Sequence, residues 1–244
     1  MPQKKNILIL GVNDQFGDQI VEGLSAEENS LILCGGDDQQ QLSLASRYPR
    51  HVKSCTDSVG LNHSHQRVQS MIEETGSLDV FIYLVDTSPS HQFLNQSHQQ
   101  IAQTLNTSLV TPICILQSIF PYLRKASNSK VMFVDTSIFS EKHNFSPITV
   151  GGNYGLWGFC EGIKAEFHSI GIDVQNISYP NFCYSQEKRG TNGWGVTLYE
   201  RYKKVIKRIL EFIRSAGATG ISQIPHVQAE ATLGTFWEYG IEAE

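Results

Sequence analysis

The chain has 244 residues, with 19 Lys and Arg against 24 Asp and Glu and a net charge of −5 at pH 7. Hydrophobic residues make up 40% and charged residues 18%, enough apolar mass for one sizeable core and too little charge for a disordered chain. The acidic balance offers no charge-driven attraction to nucleic acid or an anionic membrane, and no stretch reaches the roughly 18 apolar residues of a membrane span.

Residues 7–10 form an apolar run that predicts a buried strand, stopped by Gly11. Residues 14–24 then place Phe16, Ile20, Val21 and Leu24 on one helical face. A second strand over 31–34 is ended by Gly35 and Gly36, and Asp37 or Asp38 can cap a helix running to Tyr48. A short third strand follows at 52–55, then a helix over about 62–74, broken by Gly76, and a fourth strand over 80–85. The long stretch from 96 to 123 is helical in pattern, with Pro112 and Pro121 as interruptions. A fifth strand covers 130–134. A loop with Pro147, Gly151 and Gly152 leads to a helix from Tyr154 to about Ser169. Residues 173–177 read as the sixth strand, ended by Pro180. Residues 181–197 show no periodicity and read as a substrate loop, followed by a helix over 198–215 and a weaker strand near 221–227.

This alternation predicts one α/β domain over residues 1–244, a Rossmann-type doubly wound parallel sheet in a three-layer α/β/α arrangement. Its ligand crevice belongs at the carboxyl ends of the strands, where the strand order reverses. Five cysteines (Cys34, Cys55, Cys114, Cys160 and Cys183) form no CxxC pair, which fits reduced thiols and a cytoplasmic protein. The basic cluster Lys203, Lys204, Lys207 and Arg208 reads as a solvated helix face.

The residues after the strands carry a pattern. A glycine turn follows the first strand and Asp57 follows the third. Asn106 lies in the long helical stretch, Ser137 follows the fifth strand and Tyr154 opens the next helix. Pro180 follows the sixth strand, with Ser185 five residues later. In this order and spacing the chain resembles the short-chain dehydrogenase/reductase family over essentially its whole length. The resemblance implies Tyr154 as general acid, Ser137 as the group orienting a substrate carbonyl, and Asn106 as part of a proton relay. It also implies a dinucleotide held by Gly11, Asn13, Phe16, Gly17, Asp37, Asp57 and Ser185. With Asp37 and Asp38 after the second strand and no basic residue until Arg47, NAD is favoured over NADP. The other expected partners are a small-molecule substrate and further copies of the chain in a dimer or tetramer.

The departures bear on chemistry. The family turn is T-G-x-x-x-G-x-G, and here Gln15 replaces the middle glycine while Asp14 adds a negative charge near the phosphates. Unit charges about 6 Å apart at an effective dielectric of about 20 repel by roughly 3 kcal/mol. The alternative role for Asp14 is as a helix cap. The family's N-N-A-G is replaced by Tyr83, Leu84, Val85 and Asp86. The catalytic Lys, four residues after the Tyr, is Gly158. Without that ammonium a phenol keeps its ordinary pKa near 10 and is a poor base, at a cost of about 10²- to 10⁴-fold in rate. Lys164 lies ten residues past Tyr154, about 15 Å along the helix; Lys142 lies in the preceding loop. Gly155 and Gly162 read as close-packing positions and Gly158 as a widened crevice.

No metal set is expected. His63 and His65 fall on different helix faces, His91 and His143 lie in loops at the crevice rim, and Cys183 has no identifiable base partner. Three functions are consistent with these residues. The first is a divergent member with lost or much reduced hydride transfer, acting as a binding or partner subunit or in a non-redox reaction. The second is an NAD-dependent oxidoreductase on a hydroxyl or carbonyl, using Tyr154 and Ser137 without the Lys. The third is a structural or interaction protein.

Overall fold

The computed structural model describes residues 4–12, 15–36, 38–55, 60–85, 93–136, 146–179 and 194–215. In chain order these give β1 (Asn6–Val12), α1 (Gln15–Ser25), β2 (Ser30–Gly36), α2 (Asp38–Arg47), β3 (Val52–Cys55), α3 (Gly60–Thr75) and β4 (Val80–Leu84). A 3₁₀ turn (Phe93–Asn95) leads to α4 (His98–Leu105), a π-turn (Asn106–Val110) and α5 (Thr111–Leu123). Then come β5 (Ser129–Thr136), α6 (Pro147–Ser169), β6 (Ile172–Tyr179) and α7 (Trp194–Arg214).

The six strands are all parallel, in the order β3-β2-β1-β4-β5-β6. Along β1, Ile7 and Ile9 join a core with α1, α2 and α7, while Leu8 and Leu10 join a second core with α3, α5 and α6. Both faces are covered, which is why the strands read as continuous apolar runs and not as an alternation. The chain leaves β1 toward β2 on one side and returns from α3 to β4 on the other. The order therefore reverses between β1 and β4, the position beyond Val12 and Leu84 at which folds of this kind bind ligands.

Four local expectations change. β2 runs through Gly35, whose φ of +65° a glycine adopts freely, and on to Gly36. α7 begins at Trp194, inside the expected 181–197 loop; residues 181–193 and the expected strand near 221–227 lie outside the described residues. α6 begins at Pro147, seven residues before Tyr154, so Tyr154 lies two turns into the helix. The cause is Ser146, whose hydroxyl accepts from the Ile148 N–H at 3.3 Å, followed by Pro147 in the first turn. Gly151 and Gly152 are therefore helical. Lastly, the long stretch stays helical through Pro112. The Thr111 N–H bonds back five residues to the Asn106 carbonyl, so the missing Pro112 N–H falls within a widened turn.

At the opposite end of the sheet, two lysines hold the end of α7. The Lys5 ammonium donates to the Ile213 carbonyl, and the Lys130 ammonium donates to the Ser215 hydroxyl at 2.7 Å. Cations suit a helix C-terminus, whose last carbonyls carry partial negative charge.

Candidate active site

Two elements frame the reversal point. On the β1 side, Gly11 has φ +88°, and a Cβ there would run into the Leu84 carbonyl oxygen of β4. A Cβ on Gly17 would come within 2.9 Å of Val12 Cγ1 and 3.4 Å of Leu84 Cδ1. Both glycines are thus required by the contact of the turn and α1 with the strand ends, whatever the turn binds. Phe16 is buried in the core, leaving only its backbone to face a ligand. Asp18, in the first turn of α1, accepts from Gln40 of α2 at 2.6 Å. Asn13, Asp37, Asp57, Ser137 and Ser185 lie outside the described residues, as do Lys142, His91, His143 and Cys183.

On the β4 side, the π-turn packs on the first half of α6. A Cβ on Gly152 would collide with the Ser108 hydroxyl, and one on Gly155 would lie 3.1 Å from Leu109 Cδ2. These two contacts flank Tyr154, so the turn that begins with Asn106 is docked beside the turn of α6 that carries Tyr154. Gly155 makes its close contact within the chain. Gly152, which its neighbours in sequence had suggested was loop, is the tightest of these positions.

Tyr154 is 45% exposed. Gly158, one turn along and on the same face, is also exposed, and no described atom lies within 4 Å of its Cβ position. Gly162 is equally open. The charge next along this face is Glu161, which pairs with Lys164. Lys164, the nearest lysine on α6, is thereby directed toward Glu161.

Buried polar groups that sequence reasoning missed surround this site. Ser146, Thr149 and Asn153 form a buried stripe on α6, and Gln96 donates to the Ser146 hydroxyl at 3.0 Å. The Asn153 Oδ1 and Gln96 Oε1 atoms are buried with no hydrogen-bond partner among the described residues. Among the described residues no group of three His, Cys, Asp or Glu could hold a metal, and no helix is long and apolar enough to cross a membrane.

Comparison with known proteins decides the family. The profile of the short chain dehydrogenases matches residues 5–192. The chain belongs to the short-chain dehydrogenase family. Two uncharacterized oxidoreductases of Staphylococcus epidermidis are each 21% identical over 197 residues, covering 78% of this chain and 83% of the relative. The fold is shared with a protein assigned as a betaketoacyl-ACP reductase, at a TM-score of 0.70 and 13% identity over 88% of this chain and 92% of that one. It is also shared with an NADPH-bound short chain oxidoreductase of Pseudomonas aeruginosa described as containing an atypical catalytic center. The TM-score there is 0.68 and the identity 15%, over 86% of this chain and 90% of that one. As a short-chain dehydrogenase, the chain has the fold of an oxidoreductase family that binds NAD(P) and small-molecule substrates.

Proposed function

We propose that this protein is a divergent short-chain dehydrogenase in which hydride transfer is lost or much reduced, leaving a small-molecule-binding or partner role or a non-redox reaction. The observation that carries the reading is Gly158, exposed on the face of Tyr154, with no described atom within 4 Å of its Cβ position where the family places a lysine. A glycine at this position supplies no ammonium group to the phenol, and acid–base help of that kind is worth about 10²- to 10⁴-fold.

Gly11 in its left-handed conformation and the N-terminus of α1 three residues after β1 ends support a dinucleotide at this position. Gly11, Asn13, the Phe16 backbone and Gly17 would hold the pyrophosphate, Asp37 the ribose, and Asp57 and Ser185 the remaining groups. Gln15 in place of glycine and Asp14 beside it weaken that hold. NAD, the cofactor favoured over NADP by Asp37, would supply the hydride when bound.

A second reading is favoured by the exposure of Tyr154 beside the Asn106 turn: an NAD-dependent oxidoreductase using Tyr154, Ser137 and Asn106 on a hydroxyl or carbonyl. The two separate on one series. NADH titrated against Trp157 fluorescence should bind weakly or not at all, and reduction of a panel of carbonyls should be near background. The Gly158→Lys variant should gain reductase activity that Tyr154→Phe then abolishes. Submillimolar NADH binding with turnover in the unaltered chain overturns the first reading in favour of the second.

A further inference from the structure

We infer that Tyr83 is a positioning residue for Asn106, through a hydrogen bond that the π-turn cannot make for itself. This inference deepens the site reading above, and its consequence for chemistry rests on that reading.

Helix geometry leaves the Thr107 carbonyl without a donor. In an α-helix it would accept from the Thr111 N–H, but that group donates to the Asn106 carbonyl, closing the π-turn. The donor one residue further would be Pro112, which has no N–H. A carbonyl left unpaired in such a place costs about as much as a lost hydrogen bond. The Tyr83 hydroxyl fills the gap and donates to the Thr107 oxygen at 2.7 Å.

The donor is itself rigidly held. Tyr83 is buried near the end of β4, next to Leu84, whose carbonyl abuts Gly11. Its ring meets Phe133 of β5 edge-on at 6.4 Å, and Phe133 meets Phe159 of α6 in the same way at 6.3 Å. The bond thus joins the end of β4 to the residue after Asn106, while Ser108 and Leu109 dock the same turn on α6. Asn106 has no freedom to shift along the helix as long as Thr107 is tied to the strand end. In this chain Tyr83 stands where the family's N-N-A-G begins, so the side chain that replaces that motif is the one bracing the turn.

The test is a double-mutant cycle in the full chain, read by amide hydrogen exchange. Tyr83→Phe keeps the ring packing and removes only the hydroxyl. It should speed exchange over residues 106–111 by about tenfold or more, leaving the β1 and β2 amides unchanged. Pro112→Ala supplies an N–H to the turn, so adding Tyr83→Phe in that background should change exchange less than twofold. The same comparison on the Gly158→Lys variant should show Tyr83→Phe lowering kcat with little change in KM for NADH. Unchanged exchange in Tyr83→Phe, or an equal change in both Pro112 backgrounds, overturns the inference. Exchange that behaves as expected while the Gly158→Lys variant shows no turnover sustains the brace and counts against the reading of the site instead.

Discussion

Gly152 of α6 lies directly against Ser108 of the π-turn, close enough that a single methyl group at Gly152 would occupy the space of the serine hydroxyl. Ser108 is buried, and its hydroxyl already donates to the Thr104 carbonyl at 2.8 Å, so it has little room to turn away. The approach of these two elements sets the distance between the Asn106 turn and the Tyr154 turn.

Gly152→Ala should therefore destabilise the protein by roughly 1–3 kcal/mol, the usual range for overpacking. Gly162→Ala, at an open and exposed helical position, should instead stabilise it by up to about 1 kcal/mol, because alanine favours the helix. Urea midpoints of the two variants decide the matter. If both shift in the same direction, the helix contact described for Gly152 is wrong.

Gly11→Ala should cost roughly 2–4 kcal/mol, since it combines an unfavourable left-handed backbone with a collision against a strand carbonyl. Loss of NADH binding in that variant would say nothing about phosphates. Gln15→Gly is the informative change, because it restores the middle glycine of the turn. It should tighten NADH binding about tenfold, equivalent to about 1.4 kcal/mol. Fluorescence titration that shows no tightening would mean that Gln15 does not limit the nucleotide.

The Lys130 ammonium is buried, 4.3 Å from the Phe212 ring centre and 3.8 Å from Asp173 Oδ2. Burial lowers its pKa below the ordinary 10.5; Asp173 opposes this and Lys5 adds to it. Burial lowers the Lys5 pKa as well. In the window between the lowered folded value and 10.5 the unfolded chain binds more protons than the folded one, so this contribution to stability rises with pH. Lys130→Met should make urea midpoints rise less between neutral pH and pH 10.5, with Lys5 supplying the rest. An unaltered pH slope would show that the lysine titrates as it does in water.

The face of α6 that carries Tyr154, Trp157, Gly158 and Gly162 is exposed, with Val110 of the π-turn also exposed. If further copies of the chain pack on this face, Gly162→Trp should shift the size-exclusion profile toward the monomer. An unchanged elution position of an oligomeric parent would place the contact elsewhere.

Much of the fold was legible because apolar runs such as residues 7–10, 80–84 and 131–134 have one physical destination, a strand covered on both faces. The boundaries that misled were those marked by glycine and proline. Gly151 and Gly152 signal a loop when only neighbours in sequence are considered, and Pro112 signals a break. A capping Ser146 and a close helix contact outweigh the first signal, and the π-turn absorbs the second. At the candidate site, Gly11, Gly17, Asn106, Tyr154 and Gly158 are singled out by spacing alone, as expectations from the family resemblance. Tyr83, Ser108 and Gly152 are not, because each acts through a partner at least 24 residues away in sequence.

From sequence alone came the order of strands and helices, the family likeness and the lack of a lysine at Gly158, all of which depend on residue type and local periodicity. Only the tertiary structure could show that a β4 hydroxyl supports the turn after Asn106, and that Gly11 is a glycine because of a β4 carbonyl. Such contacts depend on which backbones meet across the sheet and at what distance. That is a property of the packed chain and has no local signature.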